Sequence, residues 1–166
     1  MNTEPVNYIL AADAHQGIAL ITKFADLPLD STLQTLYDEY RIHKIVVKFY
    51  TQLNAFQNSA AGHIESAIDW DDKVVPENNA LQFYATFRRR ILQKTLTYTF
   101  RPKIMNVMRA AVGSAMEVLA PQTSPWIDMA YPAAEHLGMK FYIVNGGQAQ
   151  NIEMRKILYL SCRNIR

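Results

Sequence analysis

Hydrophobic and polar residues alternate along much of this chain, and a period of two predicts β-strands half-buried against a core. The first such run is Gly17-Ile18-Ala19-Leu20-Ile21-Thr22. Tyr40 to Thr51 is the clearest. Its odd positions put His43, Ile45, Val47 and Phe49 on one face; its even positions put Lys44, Lys48 and Tyr50 on the other, diluted by Ile42 and Val46. A strand polar on one side only belongs to a sheet that covers a core with its other side. Ile64 to Trp70 repeats the pattern, with Ile64, Ile68 and Trp70 against Glu65 and Asp69. Lys94 to Arg101 sets Leu96, Tyr98 and Phe100 against Thr95, Thr97 and Thr99. Later, Met139, Phe141 and Ile143 alternate with Lys140 and Tyr142, and Ile152 to Arg163 carries Ile152, Met154, Leu158, Leu160 and Cys162 on one side. Asn145-Gly146-Gly147 lies between these two runs and accepts positive φ, so together they read as a hairpin. Parity predicts that Ile45, Val47, Phe49, Leu96, Phe141, Leu158 and Leu160 are buried between two sheets.

One segment follows the helical period instead. After Pro28, Ser31-Thr32-Leu33-Gln34 offers a capping box, and Leu33, Leu36, Tyr37 and Tyr40 follow at helical spacing. The expected element is one short helix near residues 31–39. Between Met105 and Pro132 the alternation weakens, which predicts one or two strands joined by long loops. Short strands, one helix and long loops describe an all-β, two-sheet antiparallel sandwich, and a chain of 166 residues makes one domain, 1–166.

Composition agrees: nine Tyr, seven Phe and two Trp sit among Val, Ile and Thr, residues that suit pleated surfaces. Cys162 is the only cysteine, which excludes an intrachain disulfide and a cysteine-built metal site. The longest apolar run is far short of the ~18 residues a span needs, so no membrane insertion is expected. The net charge of +2 does not by itself announce a nucleic-acid binder. Its distribution says more, because Asp and Glu crowd residues 26 to 77 while Lys and Arg dominate from Arg88 onward.

No catalytic constellation assembles. Asp69, Asp71 and Asp72 could hold a hard cation, but the spacing is not that of an EF-hand, and a solvated loop closing a strand is the expectation. The histidines at 15, 43, 63 and 136 form no pair at metal-ligand spacing, and His43 falls on the apolar face of its strand as a core or interface residue. Cys162 has apolar parity and reads as a small buried hydrophobe rather than a nucleophile. No enzymatic activity, metal or cofactor is therefore expected. The densest basic run is Arg88-Arg89-Arg90, with Arg101 and Lys103 beyond it and Tyr84, Phe87, Tyr98 and Phe100 interleaved. Such residues can neutralise phosphates and stack bases; a solvated edge or subunit contact explains them equally well. Lys44 and Lys48 share one strand face and are a second choice. Only together with the family resemblance carried by the segments that follow is weak, sequence-independent binding of single-stranded DNA expected of these cations.

Several segments resemble the capsid proteins of circoviruses and related circular Rep-encoding single-stranded DNA viruses. They are Phe24-Ala25-Asp26-Leu27-Pro28, then Leu36-Tyr37-Asp38-Glu39-Tyr40-Arg41-Ile42-His43-Lys44-Ile45-Val46-Val47-Lys48-Phe49, and Ala67-Ile68-Asp69-Trp70-Asp71-Asp72. Phe100-Arg101-Pro102-Lys103, Gly138-Met139-Lys140-Phe141-Tyr142 and Tyr159-Leu160-Ser161-Cys162-Arg163-Asn164 follow in the same order. The resemblance implies a single jelly roll of eight strands, sixty identical subunits closing an icosahedral shell around the genome, a place in the virion and assembly in the host nucleus. One departure stands out: residues 1 to 16 hold no Lys or Arg, where that family carries an arginine-rich arm. The competing reading is a β-sandwich ligand- or carbohydrate-binding module, with Trp70, Trp126 or Tyr131 on an exposed platform.

Overall fold

The computed structural model describes residues 1–51, 62–92, 95–104 and 122–165. Its strands in chain order are β1 (Val6–Leu10), β2 (His15–Thr22), β3 (Tyr37–Thr51), β4 (His63–Asp69), β5 (Arg88–Ile91), β6 (Leu96–Phe100), β7 (Lys103–Ile104), β8 (Gln122–Thr123), β9 (Ile127–Asp128), β10 (His136–Val144) and β11 (Gln150–Ile165). A first sheet runs β1-β11-β3-β6, and a second runs β2-β10-β4-β5; every pairing is antiparallel. The short strands β7, β8 and β9 extend these sheets at their margins. Among the eight main strands the chain crosses from one sheet to the other after β1, β2, β3, β5, β6 and β10, which makes the expected jelly roll.

That crossing overturns the predicted hairpin. The last two runs are β10 and β11, and they belong to different sheets. Alternation reports which face of a strand is buried and says nothing about its hydrogen-bonding partner. The intervening segment is a corner organised by Asn145, which is 3% exposed. Its Nδ2 donates to the carbonyls of Ala11 at 2.5 Å and Gln148 at 2.9 Å, while its Oδ1 accepts from the Gly146 N–H at 3.0 Å. Gly62 packs against this corner: a Cβ there would lie 2.0 Å from the Val144 carbonyl oxygen.

Six of the seven expected core residues are buried, and Leu160 is half-buried. The sheets are joined at their centre by three rings. Phe49 meets Phe141 edge-on at 4.9 Å and Tyr98 at 6.1 Å, and Tyr98 meets Phe141 at 5.0 Å. On β3 the predicted face is broken by a bulge, where Lys44 pairs with Tyr159 but Ile42 pairs with Leu160. The extra residue is His43. Parity therefore flips, so that Tyr40 and Ile42 are buried below the bulge and Ile45, Val47 and Phe49 above it. His43, expected on the apolar face, is exposed and hydrogen-bonds the Ser161 hydroxyl at 2.8 Å.

The helix α1 spans Asp30–Leu36 and carries no side-chain cap, so the predicted box does not form; residues 37–39 already belong to β3. β1 was not predicted, because its outward Asn7 and the 84%-exposed Ile9 interrupt the apolar signal. Lys94 and residues 105–121 lie outside the described residues; the described remainder of the weakly patterned region holds β8 and β9.

The acidic loop also departs from expectation. Asp69 is 5% exposed, and so is Lys140, two residues along β10 from Gly138, the register partner of Asp69. Residues following β4 fold back over the outward face of the second sheet: Gly17 has room for no Cβ because the Pro76 carbonyl would lie 2.4 Å away. Leu81 packs there with Ala67 and Tyr142 in a second small apolar cluster. Both faces of β10 are thus dry, and the polar parity of β4 and β10 is inside the protein. Lys140 Nζ bonds Asp69 Oδ2 at 2.8 Å and also bonds Asp72, while the Tyr84 hydroxyl donates to Asp69 at 2.5 Å. Burial alone would raise the Asp69 pKa, but the bonds from Lys140, Tyr84 and the Asp71 amide outweigh it and hold the carboxyl below its ordinary value. Burial would likewise lower Lys140, and its two carboxylates raise it instead.

Candidate nucleic-acid interface

The structure divides the seven candidate cations between two regions. Arg88, Arg89 and Arg90 form β5, an edge strand of the second sheet, so their side chains alternate in direction. Arg89 points outward and is committed to a structural bond: its Nε and Nη2 reach the buried Glu65 carboxylate at 3.0 and 2.5 Å. Arg90 turns the other way and lies over the Tyr98 ring at 5.3 Å. Lys103, on β7, stacks on Trp70 at 3.9 Å. The triple-arginine run is therefore not one patch.

Lys44, Lys48 and Arg101 share the outward face of the first sheet. Lys48 stands directly opposite Arg155 of β11 on one side and Thr97 of β6 on the other. Arg101 continues the outward parity of Thr97 and Thr99 beyond the end of β6. The strands bring three further cations to this face that the sequence reading missed: Arg41, Arg155 and Arg163. No local basic run marks them, because they meet only through the pairing of β3 with β11.

Aromatic rings lie among these cations. Lys44 Nζ sits 3.9 Å from the centre of Tyr159, Arg155 lies 5.4 Å from Tyr50, and Trp126 carries Arg163 at 4.3 Å and Arg41 at 5.9 Å. Glu153 pairs with Arg155 and Glu39 with Arg163. Among the described residues, Arg41, Lys44, Lys48 and Arg101 have no such acidic partner. Arg155, Tyr159 and Arg163 are exposed, and Lys44, Lys48 and Tyr50 are half-buried. The arrangement offers a sheet face of cations with rings beside them, and such cations and rings are what sequence-tolerant binding to a single strand uses.

Other chemistries find less support. Among the described residues no cluster of three or more His, Cys, Asp or Glu could hold a metal. Cys162 is half-buried, and burial pushes its thiol pKa up, away from the thiolate a nucleophile requires. Trp70 and Trp126, offered as a sugar platform, are instead covered by Lys103 and by two arginines. No described helix is long and apolar enough to cross a membrane.

Two four-stranded sheets in this order, closed over one core, place the molecule in the class of single-jelly-roll proteins. The same fold is seen in the BFDV capsid protein solved as a 60-mer, with a TM-score of 0.71 at 13% identity over 99% of this chain and 92% of that one. The decameric BFDV capsid protein gives a TM-score of 0.69 at 15% identity, covering 99% and 98%. Red Clover Necrotic Mosaic Virus gives 0.55 at 10% identity, covering 98% of this chain and 51% of that one. No curated protein matches the sequence. The circovirus capsid protein family matches residues 6–166, and the chain belongs to that family.

Proposed function

We propose that this capsid protein closes with identical subunits into an icosahedral shell of sixty and encloses a circular single-stranded DNA genome against the outward face of its first sheet. The BFDV capsid protein assembles both as a 60-mer and as a decamer, which supports the shell. The observation that carries the DNA reading is Lys48 directly opposite Arg155 in the β3–β11 register. Glu153 offsets Arg155, so the charge left for an anion at that pair is chiefly that of Lys48, which has no acidic partner among the described residues. Arg88, Arg90 and Lys103 form a second, peripheral set, and Arg89 contributes little because Glu65 already neutralises it. The role is structural and needs no catalysis or cofactor. Assembly in the host nucleus belongs to the same proposal and rests on the family alone.

The test is the salt dependence of binding to a labelled oligothymidylate, in shells and in dissociated subunits. Each neutralised phosphate contributes about 0.7 to the slope of log affinity against log salt. The triple variant K44Q/K48Q/R155Q should lower that slope by about 2. The R88Q/R90Q variant should change it less. A larger loss in R88Q/R90Q, or none in the triple variant, places the DNA elsewhere.

A further inference from the structure

At one end of the cationic face lies a small cavity where β3, the residue after β6 and the end of β8 meet. It has a volume of about 200 Å³ and is lined by Arg41, His43, Arg101, Thr123 and Ser124. No carboxylate is among them. The lining offers two guanidinium groups, an imidazole and two hydroxyls.

Size narrows the occupant. Pockets for drug-sized ligands run from about 300 Å³ upward, so this one is too small. At roughly 30 Å³ per water it holds the equivalent of six or seven waters, enough for a small oxyanion with part of its hydration. Polar bookkeeping points the same way. Arg41 Nε and Ser124 Oγ are buried and have no hydrogen-bond partner among the described residues. Ser124 is 6% exposed and is held at φ 49°, a left-handed conformation uncommon outside glycine. A buried arginine donor without an acceptor is costly, and native structures retain few such atoms. An acceptor lying between these groups would take hydrogen bonds from several directions, and two guanidinium groups with no carboxylate beside them favour a negative one. A tetrahedral phosphate is such an acceptor, and guanidinium forks match its oxygens in pairs.

We propose that this cavity is a phosphate-binding site. Resting on the genome-enclosing reading above, its occupant in the assembled particle is a backbone phosphodiester of the enclosed strand. The position fits, because Arg41 and Arg101 continue the row of Lys44 and Lys48 along the same outward face. A strand lying on that row would be pinned at its end by two arginines rather than held by charge alone.

The test uses the full chain with inorganic phosphate and an oligothymidylate as separate probes. Phosphate should broaden in ³¹P NMR with the native protein, and R101Q should weaken its binding about tenfold or more. Arg101 is exposed, so this variant keeps the fold. R41K keeps the charge but removes the fork and its Nε, and should weaken phosphate as well. For the oligothymidylate, R101Q should lower the salt slope by about 0.7. A native protein that leaves the phosphate line sharp overturns the site, as do R101Q and R41K variants that bind phosphate within about twofold of native. If R101Q abolishes phosphate binding but leaves the oligothymidylate slope unchanged, free phosphate is the ligand and the backbone assignment is overturned. If the native chain binds phosphate in an R101Q-sensitive way and no oligothymidylate, the site stands and the genome-enclosing reading falls.

Discussion

Replacing Lys140 with methionine isolates the buried ion pair that ties the acidic loop to the second sheet. The Lys140 side chain is 6% exposed and that of Asp69 is 3% exposed, with 2.8 Å between Nζ and Oδ2. Removing one partner of a buried pair costs about 3–5 kcal/mol, because the other charge stays buried and uncompensated. The lower end applies here, since the Tyr84 hydroxyl and the Asp71 amide still donate to Asp69 after the change. K140M should therefore lose about 3 kcal/mol, or about 6–12 °C in Tm for a domain of this size. D69N alone leaves an ammonium with only the half-exposed Asp72 as partner and should also destabilise. The double variant K140M/D69N buries no charge and should be more stable than K140M, a coupling of opposite sign to simple addition. Urea unfolding of dissociated subunits, followed by circular dichroism, measures all four proteins. Costs that add within about 0.5 kcal/mol would refute the coupled pair, and so would a K140M protein as stable as the native one. The pH dependence has a definite sign. The Asp69 pKa is held down, so its stabilisation is complete above the ordinary carboxylate value of about 3.9 and is lost as pH falls through the lower folded value. Lys140 is raised, so its share is complete below about 10.4 and is lost as pH rises through the higher folded value.

Phe49→Ala should cost about 4–5 kcal/mol, near the top of the range for a buried ring, because it also removes edge contacts to Tyr98 and Phe141. Chemical denaturation checks this, and a loss under about 1 kcal/mol would mean the ring is not at the joint between the sheets. Burial holds His136 below the ordinary histidine pKa against the raising effect of its bonds to the Thr22 and Ala134 carbonyls. A lowered histidine loses stability as pH falls below about 6.5 toward the folded value. Tm should drop between pH 7 and pH 5 in the native chain and drop less in H136N; equal slopes in the two proteins would remove His136 as the cause.

Strand content and core parity were legible from single residues because a sandwich writes its buried face directly into a period of two. β6 shows this plainly: Leu96, Tyr98 and Phe100 are buried and Thr97 and Thr99 exposed. What alternation cannot encode is pairing. It gave β10 and β11 as neighbours, although the Asn145 corner sends them to opposite sheets. One added residue at His43 was enough to reverse the face of the strand before it. Burial of a second face was equally hidden, since Glu65, Asp69 and Lys140 look solvent-facing until residues after β4 cover them. The same limit applies to the candidate interface. Arg88-Arg89-Arg90 is conspicuous in the chain but splits in space, whereas Arg41, Arg155 and Arg163 are scattered in the chain and meet through strand register.

Assembly is best tested on the purified chain itself, by cryo-electron microscopy and mass photometry at low salt, with and without single-stranded DNA. The expected result is a closed particle of sixty subunits whose first-sheet faces line the DNA. A chain that stays monomeric at high concentration in both conditions would contradict the capsid function proposed for it, and shells with the Lys48–Arg155 face turned away from the DNA would contradict the interface.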